Sequence, residues 1–149
     1  MQLLIDGDGC PVVDLSLRIA AEFSLKVLIF CDTAHRIERS GAQTITVDKG
    51  SDSADFALVN RASPGDIVIT QDYGLAAMAL SRGAVPIRQD GLVYDEENID
   101  GLLTVRAAAQ RIRRGGGRLR GPAKRTNAED RAFETALRRV IETRLGESE

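Results

Sequence analysis

Ile67-Val68-Ile69-Thr70-Gln71-Asp72 decides the fold. Its first four residues are β-branched and read as a strand buried on both faces, as in a sheet covered by helices on each side. Asp72 to Arg82 then reads as a helix, and Gly83 ends it. Ala84-Val85-Pro86-Ile87 returns as a strand. Pro86 cannot donate to a ladder, so that strand belongs at an edge. Strand, helix, strand is a parallel β-α-β unit.

The alternation continues towards the start of the chain. Asp52 to Ala62 reads as helix and Ser63-Pro64-Gly65-Asp66 as the turn leading into Ile67. Thr44-Ile45-Thr46-Val47 and Val27-Leu28-Ile29-Phe30 read as strands, with a short helix predicted over Thr33 to Ser40. Val12 to Phe23 reads as a helix with Pro11 in its first turn, and Leu3-Leu4-Ile5 is a first strand ending at Asp6. The predicted fold class is α/β: a three-layer α/β/α sandwich of about five mainly parallel strands. Beyond it, Asn98 to Arg114 reads as a long helix, Gly115-Gly116-Gly117 breaks it, and a terminal helix runs from about Asn127 to Leu145. The 149 residues suit a single domain, with an α/β core over 1–90 and a helical basic extension over 91–149 packed on it.

Composition narrows the class. Hydrophobic residues are 43% and charged residues 28% of the chain, which excludes wholesale disorder. No apolar run approaches the ~20 residues of a membrane span. An acidic loop so soon after Met1 predicts no signal peptide, and two cysteines predict no disulfide framework. The expected setting is the cytoplasm. The net charge of −2 hides a segregation. Residues 1–100 carry 8 Lys/Arg against 16 Asp/Glu, whereas residues 101–149 carry 12 against 6. Between Arg106 and Arg125 lie eight basic residues and no acidic ones. One surface therefore suits cations and another suits anions.

Ligands of an open parallel sheet bind outside the carboxyl ends of its strands. Asp6 and Asp8 follow the first predicted strand, Asp32 the second, Asp48, Asp52 and Asp55 the third, and Asp72 the fourth. Each has a plainer role as helix cap or turn former. Together they would repel one another unless a cation lay between them. Mg²⁺ or Mn²⁺ suits such oxygen donors, and a single histidine gives zinc no support. Such an ion can acidify water for attack on a phosphodiester. The basic segment, with Arg106, Arg113, Arg118 and Arg120 foremost, can hold the backbone of a nucleic acid. Lys49, beside the acidic group, either meets the scissile phosphate or balances charge. With two tyrosines and four phenylalanines, an aromatic stacking platform is not expected.

Several stretches carry a resemblance. Ile5-Asp6-Gly7-Asp8-Gly9-Cys10-Pro11 resembles the Asp-Ala-Asp-Ala-Cys-Pro opening of the YaiI/YqxD family of bacterial proteins. Asp52-Ser53-Ala54-Asp55 is similar to its Asp-x-x-Ala-Asp segment. Gly65-Asp66-Ile67-Val68-Ile69-Thr70-Gln71-Asp72, with Leu75-Ala76, is similar to its Gly-Asp-x-Val-x-Thr-x-Asp…Leu-Ala stretch. Arg118 to Phe133 resembles its C-terminal signature. That family's fold is regarded as PIN-like, akin to metal-dependent RNases and flap-endonuclease-type nucleases. The resemblance implies metal ligands at Asp6, Asp52 or Asp55, and Asp72, with Asp8 a fourth member of the catalytic group and Thr70 orienting a carboxylate or the water. It also implies RNA before DNA as partner. Gly7 and Gly9 replace alanines, which predicts a looser loop, and Ala123-Lys124-Arg125 replaces an apolar Pro-Phe pair.

Cys10 at a helix start is either an activated thiolate or a small buried side chain, and the second reading is preferred. Cys31 could pair with it, against the reducing setting. His35 is either a cleft residue or a surface one. The first reading is a metal-dependent nuclease acting on RNA or structured nucleic acid, and two other functions compete with it. Asp6-Gly7-Asp8-Gly9 also fits the Asp-x-Asp motif of haloacid-dehalogenase-like phosphatases, although Cys10 and the order of Lys49 and Thr70 do not. A non-catalytic nucleic-acid-binding module is the third reading.

Overall fold

The structure, a computed structural model, describes residues 1–32, 36–48, 53–114 and 124–147. Five strands, β1 (Gln2–Asp6), β2 (Lys26–Asp32), β3 (Gln43–Val47), β4 (Ile67–Ile69) and β5 (Val85–Ile87), form one sheet. All pairs are parallel, in the order β3-β2-β1-β4-β5. The helices are α1 (Val13–Glu22), α2 (Ser53–Arg61), α3 (Tyr73–Ser81), α4 (Glu96–Arg114) and α5 (Asn127–Glu147).

Alternating side chains of the strands feed two apolar layers. Leu3, Ile5, Val27, Ile29, Ile67 and Ile69 meet α1 and the Phe133, Leu137 and Ile141 stripe of α5. Leu4, Leu28, Phe30 and Val68 meet Leu58 and Val59 of α2 and Leu75 and Ala79 of α3. This is the expected α/β/α sandwich. α4 packs outside α3, through Ile99, Leu102 and Leu103 against Ala76, Ala77 and Leu80.

Local chemistry sets the boundaries. α4 begins at Glu96, ahead of the predicted Asn98. Asp95 and Asn98 exchange hydrogen bonds there, Asn98 N–H to Asp95 Oδ1 at 2.7 Å and Asp95 N–H to Asn98 Oδ1 at 3.0 Å. α5 opens on a Thr126/Glu129 capping box, with reciprocal bonds of 3.3 and 3.2 Å. β5 is the predicted edge strand. Its outer side is covered by an antiparallel bridge from Ile87 to Val93, and Tyr94 N–H donates to Pro86 O at 2.9 Å.

The helix predicted over Thr33 to Ser40 is corrected for its described part. Residues 36–40 are irregular. Ile37 packs on the α1/α5 layer, and its carbonyl accepts the Thr44 hydroxyl at 2.6 Å. Arg39 Nε reaches Asp14 at 2.7 Å. Tertiary contacts here use the groups a helix would use internally. The triple-glycine break and the basic loop after it lie outside the described residues.

Two glycines place neighbouring elements. Gly91 has φ +95°, and a Cβ there would lie 2.7 Å from Ala132 O, so α5 rests directly on the turn after β5. At Gly7 a Cβ would lie 3.0 Å from Ile29, Ile37 and Phe30 O, and Gly7 N–H donates to Phe30 O at 2.8 Å. The expected loosening of this loop is therefore corrected at Gly7: the chain is held closely against β2.

Candidate functional site

The strand order reverses between β1 and β4. The chain builds outward through β2 and β3, then crosses back to β4, so loops diverge at the carboxyl ends of β1 and β4 and leave a crevice. Asp6 is the last residue of β1. Thr70 is the first residue after β4, and its register neighbour Ile69 pairs with Ile5.

Thr70 is 3% exposed and joins the two strand ends. Its hydroxyl donates to Asp6 Oδ2 at 2.8 Å and accepts Asp72 N–H at 3.0 Å. Asp72 caps α3, its Oδ1 accepting Leu75 N–H at 3.1 Å. The plainer role of Asp72 is thus real, and it fixes that carboxylate beside Thr70. Asp8 follows in the loop whose turn is closed by Cys10 N–H to Gly7 O at 3.2 Å. Asp8 Oδ1 is buried and has no hydrogen-bond partner. Asp6, Asp8, Cys10, Thr70 and Gln89 line a narrow cavity of ≈ 10 Å³, room for about one water.

The electrostatics follow from this geometry. Asp6 is pushed up to about 6 from an ordinary 3.8. Burial is the main cause, and the charges of Asp55, Asp72 and Asp8 add to it against the Thr70 hydrogen bond. Of the predicted group, Asp6, Asp8, Asp55, Thr70 and Asp72 are therefore brought into mutual influence. Among the described residues, no three His, Cys, Asp or Glu side chains are gathered as a ready metal cage. Asp52, Lys49, Arg118, Arg120 and His35 lie outside the described residues. Arg106 and Arg113 lie on α4, with their side chains outside the described set.

Cys10 is half-buried against the apolar layer of α1 and α5, closer to the plainer of its two readings. Burial pushes its thiol up to about 11, and Asp6 adds to the rise, so no thiolate is favoured. Cys10 and Cys31 are both free.

Two residues near the site, Tyr94 and Arg125, and one remote from it, Asp66, escaped the sequence reading. Tyr94 is 1% exposed, and its hydroxyl donates to the Thr70 carbonyl at 3.4 Å. Its ring meets Tyr73 edge-on at 6.0 Å, and the Tyr73 hydroxyl accepts Arg88 Nη1 at 3.4 Å. Arg88 is itself held by Asp90 through two bonds of 2.8 Å. Arg125 bonds Gln89 O at 2.7 Å and Asp130 at 2.8 Å, and its charge reaches Cys10. Asp66 is 3% exposed at the opposite end of β4, where it accepts Gln2 N–H and Ser63 N–H, each at 2.9 Å. The signals were faint: an aromatic within an acidic stretch, one arginine of a basic run, and an aspartate in a turn motif.

Residues 4–143 match the family described as "Uncharacterized BCR, YaiI/YqxD family". The chain belongs to the YaiI/YqxD family. Its relatives include a UPF0178 protein of Exiguobacterium sibiricum, 54% identical over 141 residues, which span 95% of this chain and 96% of that one. A UPF0178 protein of Ruminiclostridium cellulolyticum is 47% identical over 137 residues, 92% of this chain and 90% of that one. One from Clostridium acetobutylicum is 43% identical over 143 residues, 95% and 97% of the two chains. No solved structure matches significantly. The matched residues 4–143 take in β2 to β5, the last three residues of β1 and every residue of the acidic group.

Proposed function

We propose that this YaiI/YqxD protein is a Mg²⁺- or Mn²⁺-dependent nuclease that hydrolyses phosphodiester bonds of nucleic acid, RNA before DNA, in the cytoplasm. The observation that carries the reading is Asp6: a desolvated carboxyl at the switch point of the sheet, with Asp8, Asp55 and Asp72 acting on it. Proteins retain such an arrangement where a cation relieves it. Mg²⁺ keeps much of its water and takes one or two carboxylates plus substrate oxygens. That demand fits a sparse donor set better than a closed cage would. The PIN-like fold that the resemblance implies agrees with the same chemistry, as does the segregated basic segment of the sequence. No helix among the described residues is long and apolar enough to cross a membrane.

Asp6 and Asp72 would hold the ion, with Asp55 and Asp52 as further candidates from the third loop. When bound, the ion supplies an acidified water and charge neutralisation for the phosphate. The Thr70 hydroxyl, donating to Asp6 and accepting from Asp72 N–H, orients the Asp6 carboxylate. Asp8, with an unpartnered buried oxygen, is the residue suited to accept a proton or a water hydrogen within the cavity. Arg106, Arg113, Arg118, Arg120 and Lys49 are the proposed phosphate contacts, and Arg125, which bonds the carbonyl of the lining residue Gln89, joins them.

The test is incubation of the purified protein with labelled RNA and DNA in Mg²⁺, Mn²⁺ or chelator. Cleavage that needs the ion and disappears in Asp6→Asn and Asp72→Asn is the expected result. Cleavage indifferent to both substitutions, or none with any metal, overturns the reading.

A further inference from the structure

The chain has six Phe and Tyr residues, too few for a stacking platform on composition alone. Their placement changes that assessment. Phe30, Phe133 and Tyr94 are buried, Phe23 and Tyr73 are partly covered, and Phe56 alone is exposed, by 57%. A single exposed apolar residue is ordinary on a protein surface. The position of this one is not. The strands are parallel, so α2, which follows β3, starts at the carboxyl end of the sheet, the end at which the crevice opens. Asp55 in the first turn of α2 is the acid whose charge acts on Asp6. Successive helical side chains turn by about 100°. With Leu58 and Val59 buried on the sheet, Phe56 is turned to water immediately beside Asp55.

α3 repeats the acid–aromatic pair as Asp72-Tyr73, yet there the aromatic ring is braced. Tyr73 lies edge-on against Tyr94 and accepts a hydrogen bond from Arg88. Phe56 has no such bracing from another aromatic ring among the described residues. Among the described residues it is the one exposed large apolar side chain of α2. Asn60, one turn further along its helix, is exposed and polar, and the other exposed large apolar residues, Met1, Val105, Ile112 and Leu145, belong to other parts of the chain. A surface one ring wide is too small for a helix groove or a bilayer. It matches the π-face of one nucleobase.

We infer that Phe56 stacks on an unpaired base of a single-stranded nucleic acid laid across the carboxylate crevice. The inference rests on the site being a nucleic-acid site and adds the strand state of the substrate. A duplex keeps its bases stacked on each other and offers the ring nothing, whereas a single strand has faces to give. The contact is tolerant of sequence, because every base has such a face.

The chain contains no tryptophan, so Phe56→Trp installs a sole reporter at this position. The measurement is tryptophan emission of Phe56→Trp, combined with Asp6→Asn to suppress turnover, titrated in Mg²⁺ with a short oligouridylate. Parallel titrations use its abasic counterpart and a duplex, and fluorescence anisotropy of the labelled oligonucleotide reads binding independently. Quenching by the single strand, and by neither control, is expected. Phe56→Ala then weakens single-strand binding by about 5- to 150-fold, and Phe56→Tyr restores it. Unchanged emission on binding, equal quenching by the abasic strand or the duplex, or no binding at all overturns the inference. Quenching without cleavage by the unsubstituted chain would leave the stacking in place and remove the nuclease reading. Cleavage of single strands unaffected by Phe56→Ala would do the reverse.

Discussion

Replacing Asp6 with asparagine should make the protein more stable at neutral pH. Asp6 ionises near 6 in the fold against 3.8 ordinarily. The folded state therefore favours its protonated form. That contribution is complete below about pH 3.8 and is lost as pH rises through about 6. Above this window the fold holds an ionised carboxyl that is desolvated and surrounded by Asp55, Asp72 and Asp8. The shift corresponds to a ceiling of about 3 kcal/mol, and partial hydration of the site reduces it, so about 1–3 kcal/mol is expected. Asparagine keeps an oxygen for the Thr70 hydroxyl and carries no charge. Urea unfolding of both proteins between about pH 4 and pH 8 reads the difference. The variant should gain on the parent as pH rises and reach a plateau above about pH 6–7, where its melting temperature is higher by roughly 3–10 °C. A difference independent of pH, or a variant less stable than the parent at about pH 8, would refute the electrostatic reasoning.

Tyr94→Phe keeps the ring packing and removes the hydroxyl that reaches the Thr70 carbonyl. Unfolding measurements should show a loss of only about 0.5–1.5 kcal/mol, while the metal-dependent cleavage rate falls because Thr70 is less firmly set. Asp66→Ala leaves the N–H groups of Gln2 and Ser63 without their acceptor, and denaturant titration should register a loss of about 2–4 kcal/mol. Gly91→Ala forces a side chain into a φ of +95° and against Ala132 O; calorimetry should show destabilisation of about 2–3 kcal/mol, and an unchanged melting temperature would mean that α5 does not rest on this turn.

The central strands β1, β2 and β4 were legible because they are buried on both faces. Leu3-Leu4-Ile5, Val27 to Phe30 and Ile67 to Ile69 appear as unbroken apolar runs, and the acids that follow them mark their carboxyl ends. The gathering of the acids at one edge of the sheet was legible because each follows a strand, whereas the closeness of Asp6 to Asp72 depends on β1 and β4 being neighbours, an order the apolar runs do not reveal. Arg36 to Ser40 was misread because nothing local announces that Ile37 packs on α1 and α5 or that Thr44 claims its carbonyl. Tyr94 carries no local signal of burial in the sequence. Its burial depends on the chain folding back along β5 through the Ile87–Val93 bridge. Arg125 was hidden among its basic neighbours until Gln89 O and Asp130 singled it out. Exposure of Phe56 is equally invisible in sequence, where an aromatic at a helical position is expected to face the core.

The most direct test of the central claim is the titration of the Asp6 side-chain carboxyl by ¹³C NMR, without and with Mg²⁺. A midpoint near 6 in the ion-free protein, falling well below that value when Mg²⁺ is added, is the predicted result. A midpoint close to 3.8 that Mg²⁺ does not move would mean that the carboxylates at this crevice are neither strained by one another nor relieved by a cation.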